Sequence, residues 1–150
     1  MSPPVELAFD ADIEALQTVQ AAVERFAEAE ALPAKTAYAL SLCLEELLTN
    51  IVMHGRQESG GATRVGVRVA VAGPEVEVRI DDDGRAYDPT TTPEPDLDAL
   101  LDDRPIGGLG VHLVRQLASR FEYRHEEGRN RVTIALPRRA DGEDDQPADD

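Results

Sequence analysis

Two helices set apart from runs of antiparallel strands predict an α+β fold for this chain, a two-layer α/β sandwich. Three observations carry that prediction. Two amphipathic helical patterns follow one another before residue 55, alternating valines between residues 63 and 80 read as a β-hairpin, and a glycine-rich loop leads into one more helix and a second hairpin. Strands and helices do not alternate as a parallel doubly wound sheet requires. The phosphate-binding GxxxxGKS/T pattern is absent, and Gly108-Leu109-Gly110 lacks the third glycine of GxGxxG.

The elements follow in order. Residues 5–9 form a short strand, and Asp10 or Asp12 caps a helix carrying Ile13, Leu16, Val19, Ala22, Val23 and Phe26 at three- and four-residue spacing. Pro33 suits a first helical turn, and Leu40, Cys43, Leu44, Leu47, Leu48 and Ile51 continue at helical spacing towards Gly55, giving a helix over residues 33–54. Val65, Val67, Val69 and Val71 alternate with other residues, Gly73-Pro74 turns the chain, and Val76, Val78 and Ile80 return it with one buried face. Residues 84–108, rich in Pro, Thr, Asp and Gly, read as a long loop with at most a helical turn near Leu97, Leu100 and Leu101. A helix over residues 109–120 then leads to strands at 121–125 and 132–136, joined by a turn near Gly128-Arg129-Asn130.

At 150 residues the chain fits one domain. Its net charge of -15 repels polyanions, which argues against direct nucleic-acid binding. Three Tyr, three Phe and no Trp leave little aromatic surface on which bases would stack. No uncharged apolar run approaches the ~20 residues that span a bilayer, so no membrane partner is expected. The start, MSPPVELAFDADIE, lacks a basic segment followed by an apolar one, and the single cysteine, Cys43, forms no internal disulfide or multi-thiolate zinc site. These features point to a cytoplasmic protein. Residues 137–150 carry six acids against Arg138 and Arg139 and read as a disordered acidic tail; removing its net -4 leaves -11 on a folded domain of residues 1–136.

Function must then lie in polar motifs, and three stand out. In CLEELLTNIVMHG, Glu46, Asn50 and His54 occupy one helical ridge at successive i+4 positions. An amide oxygen beside a carboxylate suits Mg²⁺, which takes few protein ligands and leaves positions for phosphates and water. Alone, such a ridge is usually the wet face of an amphipathic helix. The second is Asp81-Asp82-Asp83-Gly84 at a strand end, where Asp82 can accept from an exocyclic amine and Gly84 admits a flat ring, although acids and glycine are also ordinary turn chemistry. The third, Arg104-Pro105-Ile106-Gly107-Gly108-Leu109-Gly110, opens a helix whose unpaired amides suit an anion, or else marks a hinge. In this order the three supply what a metal, an adenine and a triphosphate need.

The ExxxN of Glu46 to Asn50, the DxG of Asp82 to Gly84 and the GxG of Gly108 to Gly110 resemble the N, G1 and G2 boxes of the gyrase, Hsp90, histidine-kinase and MutL ATPase superfamily. EELLTNIVMHG, DDDGRAYDP and GGLGVHLVRQL are most similar to the anti-sigma-factor serine/threonine kinases, and the likeness covers about residues 5–136. It implies a Bergerat-type fold, a mixed, mostly antiparallel sheet covered on one face by helices, and ATP with Mg²⁺ as cofactors. Residue by residue, it implies that Asn50 ligates Mg²⁺, that Glu46 is the base on the attacking hydroxyl, and that Asp82 holds the adenine amine beside Gly84. Gly108, Leu109 and Gly110 would hold phosphates, His54 and Arg104 would contact them, and Thr133 resembles a strand threonine that helps bind adenine. Two departures are Ala86 in place of the second glycine of DxGxG, and an arginine four residues before Gly108.

The implied partner is an anti-anti-sigma (STAS-type) protein, which the chain would phosphorylate, with a sigma factor bound in the alternative state; the resemblance leaves room for a homodimer. A non-catalytic ATP-dependent binding module is the competing reading. In it, ATP only orders the 84–108 loop and so switches a protein interface. Independently of that choice, residues 88–107, with Thr90, Thr91, Thr92, Pro93 and Pro95 and glycine hinges, are expected to act as a nucleotide-dependent lid. A histidine-kinase fragment is disfavoured, because His112 sits in the glycine-box helix and His125 in a strand, and neither is a phospho-acceptor on a dimerisation helix.

Overall fold

A computed structural model describes residues 3–57, 64–91 and 108–139. The elements are β1 (Val5–Asp10), α1 (Ala15–Ala29), α2 (Ala34–Gln57), β2 (Arg64–Ala72), β3 (Glu75–Asp82), a 3₁₀ turn (Pro89–Thr91), α3 (Gly108–Leu117), β4 (Arg120–Glu126) and β5 (Arg129–Pro137). The strands make one sheet in the order β1-β2-β3-β5-β4, and every pairing is antiparallel rather than mixed.

The valine alternation decides which face is buried. Val65, Val67 and Val69 of β2 point the same way as Val76, Val78 and Ile80 of β3 and Val132, Ile134 and Leu136 of β5. Against them pack Val19, Val23 and Phe26 of α1, Leu40, Leu44, Leu47 and Leu48 of α2, and Val114 of α3. Each fully buried Leu, Ile or Val of this set contributes about 1.5–3 kcal/mol relative to exposure. The segment Ala34–Met53 has the length and mean hydropathy of a bilayer span, but its apolar ridge is spent on this core.

The opposite sheet face is charged. Arg68 pairs with Glu6 at 3.1 Å, Arg64 with Asp10 at 2.9 Å and Arg131 with Asp81 at 2.7 Å. Pairs this open to water add little stability, and they leave one sheet face wet and the other dry.

Several boundaries differ from the sequence reading, each for a local reason. Asp12 accepts the Glu14 N–H at 3.0 Å, so its carboxylate caps the turn before α1 rather than the helix itself. α1 ends where Ala31 turns to φ 52° and the Leu32 N–H reaches back to the Ala27 carbonyl, the six-to-one bond of a Schellman end made here without glycine. α3 stops at Leu117, short of residue 120, because the Ser119 N–H is drawn onto the Ala135 carbonyl at 2.8 Å and starts β4. The second hairpin turns on Glu127 and Gly128, both at positive φ, so Arg129 and Asn130 belong to β5.

The folded chain also runs past residue 136. Pro137 pairs with Glu75, the Arg138 N–H bonds the Pro74 carbonyl at 2.7 Å, and the Arg138 guanidinium reaches buried Glu30 at 3.3 Å. The rest of the acidic tail, residues 140–150, lies outside the described residues, as do residues 92–107 with the helical turn read near Leu97.

Candidate functional site

The site is assembled from α2, the end of β3, the start of α3 and the first residues of β5. On α2, Glu46 and Asn50 sit one turn apart and half-buried beside the fully buried Leu44 and Leu48. His54 extends this ridge, with its side chain outside the described residues. Across from Glu46 lies Gly110, the third residue of α3. A methyl group built on Gly110 would overlap the Glu46 carboxylate and come within 2.8 Å of its Cδ. Only glycine lets the carboxylate rest against the first turn of α3, and the ExxxN ridge and the GxG segment therefore meet.

Burial raises the Glu46 pKa above the ordinary carboxylate value, and the neighbouring Glu45 charge adds to the shift. A raised pKa makes a stronger base. Cys43, one turn before Leu47, is fully buried, and burial together with Glu46 pushes its thiol up to about 12. It stays protonated and acts as core rather than as a nucleophile.

The second half of the site closes around Asp82, a buried carboxylate 7% exposed at the end of β3. Its Oδ1 accepts the Gly84 N–H at 2.9 Å and the Asn130 amide N–H at 2.9 Å. Burial raises its pKa, while those two hydrogen bonds pull the other way. Asn130 faces Asp82 directly across the β3–β5 ladder and is itself buried. The sequence reading missed it, having assigned residues 128–130 to the turn. The available signal was the period of two: Asn130 shares the inward face with Val132 and Ile134, and a polar residue on a buried face needs partners.

Thr133 is not brought to Asp82. It pairs with Arg79, three positions along β5 from Asn130, and by the same alternation stands on the outer face of the sheet.

A chain of polar contacts joins the halves. Asn130 Oδ1 accepts the Tyr87 N–H at 3.2 Å; the next residue, Asp88, accepts the Thr90 N–H at 2.8 Å and its hydroxyl at 2.6 Å; and Arg115 of α3 donates to the Thr90 carbonyl at 2.6 Å. The segment after the DxG motif is thus pinned both to the Asp82–Asn130 pair and to the helix that begins with the GxG motif. Gly108, Leu109 and Gly110 form the first turn of α3 as expected, whereas Arg104 lies outside the described residues. His125 is exposed on β4, and His112 is half-buried on α3.

The donor set fits a nucleotide with a divalent ion. Among the described residues no three His, Cys, Asp or Glu side chains gather as a self-sufficient metal centre. An ion here would lean on one hard oxygen, the Asn50 amide, and on phosphate oxygens, which is how Mg²⁺ is usually held beside a nucleotide.

Comparison with known proteins gives the family and the fold. Residues 9–136 match the histidine kinase-like ATPase domain. The chain is 33% identical over 112 residues to the serine/threonine-protein kinase BtrW of Bordetella bronchiseptica, covering 75% of this chain and 78% of that protein. The crystal structure of the RsbU and RsbW domains of Rv1364c from Mycobacterium tuberculosis superposes with a TM-score of 0.64 at 20% identity, over 91% of this chain and 32% of that one. A histidine kinase domain from a blue-light activated kinase of Erythrobacter litoralis superposes with a TM-score of 0.50 at 20% identity, over 86% of this chain and 61% of that one. The two structural likenesses show the shared fold, and this chain spans about a third of the first and three fifths of the second.

Proposed function

The chain belongs to the histidine kinase-like ATPase domain family, and from that premise we propose that it is an ATP-dependent serine/threonine protein kinase of the anti-sigma-factor type, acting on a small anti-anti-sigma (STAS-type) protein. The observation that carries the reading is the Glu46 carboxylate held against Gly110, with its basicity raised by burial, at the turn where the phosphates of a nucleotide would lie. Asp82 would receive the adenine amine, Gly84 would leave room for the ring, and the first turn of α3 would receive the phosphates. Asn50 would hold Mg²⁺, which when bound neutralises phosphate charge. Glu46 then takes the proton from the partner's serine hydroxyl as its oxygen bonds to the γ-phosphorus and the bond to the departing ADP breaks.

BtrW's serine/threonine kinase name supports a hydroxyl rather than a histidine acceptor. We place the activity in the cytoplasm, with a sigma factor as the alternative partner. The test is to incubate the full chain with Mg-ATP labelled at the γ-phosphate and a STAS-type protein that binds it. Label on a partner serine is the expected result. A bound partner that takes up no label would make the chain a nucleotide-dependent binding module instead.

A further inference from the structure

Every arginine in the five strands stands on the outer face of the sheet, because Val65, Val78, Ile134 and their like take the alternate positions that face the helices. Arg68 is matched there by Glu6, Arg131 by Asp81 and Arg120 by Glu77. Arg79, in the middle of β3 and half-buried, has no ion pair or hydrogen bond among the described residues. Its cross-strand neighbours are a second arginine, Arg68, and Thr133, whose hydroxyl is likewise without a partner among them. Like charges set directly opposite are unfavourable, so Arg79 is a cation with a place beside it for an acid.

The face dips next to Arg79. A depression of about 300 Å³ lies between Ala8, Gly66, Arg68, Arg79 and Asp81. Gly66 sits there in the interior of β2, and nothing in the fold demands a glycine: its φ is not positive, and a methyl group would come no nearer than 3.8 Å to the Leu7 carbonyl and 3.9 Å to Asp81 Oδ2. Glycine inside a strand weakens it and often marks the close approach of a ligand or of another length of backbone.

The chain itself supplies an acidic segment at one end of this face. Pro137 pairs with Glu75, the Arg138 N–H bonds the Pro74 carbonyl at 2.7 Å and the Arg138 guanidinium holds Glu30 at 3.3 Å, so the chain leaves the sheet at the β2–β3 turn. Arg79 lies four residues along β3 from that point, ~14 Å at the rise of a strand. Residues 140–150 reach up to ~36 Å when extended, and they carry Asp141, Glu143, Asp144, Asp145, Asp149 and Asp150 with no basic residue. Glu75 and Glu77, on the way, are already matched by Arg120. The rest of the chain is itself net acidic, which makes an unmatched arginine the favoured contact for this segment.

We propose that residues 140–150 fold back over the outer face of the sheet, with the Glu143-Asp144-Asp145 run against Arg79 and the Thr133 hydroxyl and the backbone passing over Gly66. A segment tethered this closely acts at about millimolar effective concentration, so a few exposed ion pairs hold it. The contact lies on the face away from Glu46 and Asp82 and does not depend on what they bind.

The test reads the full chain by nitroxide broadening of its amide signals. Cys43 is buried and its thiol is pushed up to about 12, so a thiol-directed spin label on the Gln146→Cys chain marks only the tail. The amides of Gly66, Arg68, Arg79 and Thr133 should lose intensity ~two-fold or more relative to the reduced label, while that of Val23 on α1 keeps its own. Adding Arg79→Glu should restore the lost intensity, as should ~1 M salt, which screens charges beyond about 3 Å. Combined Glu143→Gln, Asp144→Asn and Asp145→Asn leave the sheet untouched and should restore it too, and they decide the matter where melting shows Arg79→Glu unfolded. Broadening that is absent from the four amides, or present and unmoved by any of these changes, would overturn the proposal. So would broadening that a spin-labelled chain of natural isotopes imposes on an isotope-labelled chain without the spin label, since the tail of a second copy would then be the occupant.

Discussion

Gly110 and Glu46 touch across the α2–α3 interface so closely that a methyl group on the first would overlap the carboxylate of the second. The clash falls mainly on the far end of a flexible side chain, and Gly110→Ala should therefore change stability by less than ~1 kcal/mol, since Glu46 can swing aside and alanine favours the helix. The displaced carboxylate would then no longer sit where the proposed base has to meet the attacking hydroxyl. Phosphotransfer should fall ~10²-fold, the scale on which an ångström of misplacement acts. Denaturant unfolding and transfer rates on the same preparation check the two effects; a large loss of stability with intact transfer would contradict this account.

Glu46→Gln and Asn50→Ala should fail differently although they lie one helical turn apart. The glutamine keeps shape and hydrogen bonding but not basicity, so Mg-ATP affinity should survive while transfer falls ~10²- to 10⁴-fold. Asn50→Ala removes the proposed metal oxygen and should weaken Mg-ATP binding itself. Calorimetry with Mg-ATP beside a transfer assay separates them, and wild-type transfer by Glu46→Gln would remove Glu46 as the base.

The pH dependence of transfer should carry the mark of Glu46. Burial, then Glu45, raises its pKa, and only the deprotonated form accepts a proton. Activity should therefore fall on acidification at a higher pH than the ~4.3 of an ordinary glutamate. Glu45→Gln removes the like charge and should move that acid limb to lower pH. A limb that stays put in Glu45→Gln would show that another group titrates.

Asp82→Asn should exchange specificity for stability. With Oδ1 facing two donors, the asparagine must keep its oxygen inward and present NH₂ outward, towards a base. ATP affinity should drop ~10-fold and GTP, which offers a carbonyl oxygen there, should gain relative to it. Because burial raises the folded pKa of Asp82, the folded chain holds that proton more tightly than the unfolded one. Wild-type stability then falls as pH rises from the unfolded pKa through the folded one, and the penalty persists at neutral pH. The uncharged variant escapes it, so its advantage in melting temperature should be present at pH 7 and shrink towards pH 4. A constant difference across that range would show that charge burial is not its source.

Much of this was legible in the chain alone. The alternation of Val65, Val67 and Val69 and the helical spacing of Leu40, Leu44, Leu47 and Leu48 are properties of neighbouring residues, and each fixes its own element and buried face. The motifs around Glu46, Asp82 and Gly110 were legible for the same reason, since a few adjacent residue types suffice to state a chemistry.

Strand pairing settled the rest. Asn130 and Thr133 are both polar residues in the last strand, and nothing local ranks one above the other as the partner of Asp82. The β3–β5 register sets Asn130 opposite Asp82 and Thr133 opposite Arg79, and the pleat turns the first inward and the second outward. Likewise Gly110 reads as a helix-opening glycine, and only the packing of α3 on α2 gives its missing side chain a meaning, as the space that Glu46 fills. The sequence determined the elements, their buried faces and the chemical groups available, because those depend on contacts a few residues apart. Tertiary structure decided which groups meet, because that depends on register and packing between residues 48 and 64 positions apart, whose pairing energies no local pattern records.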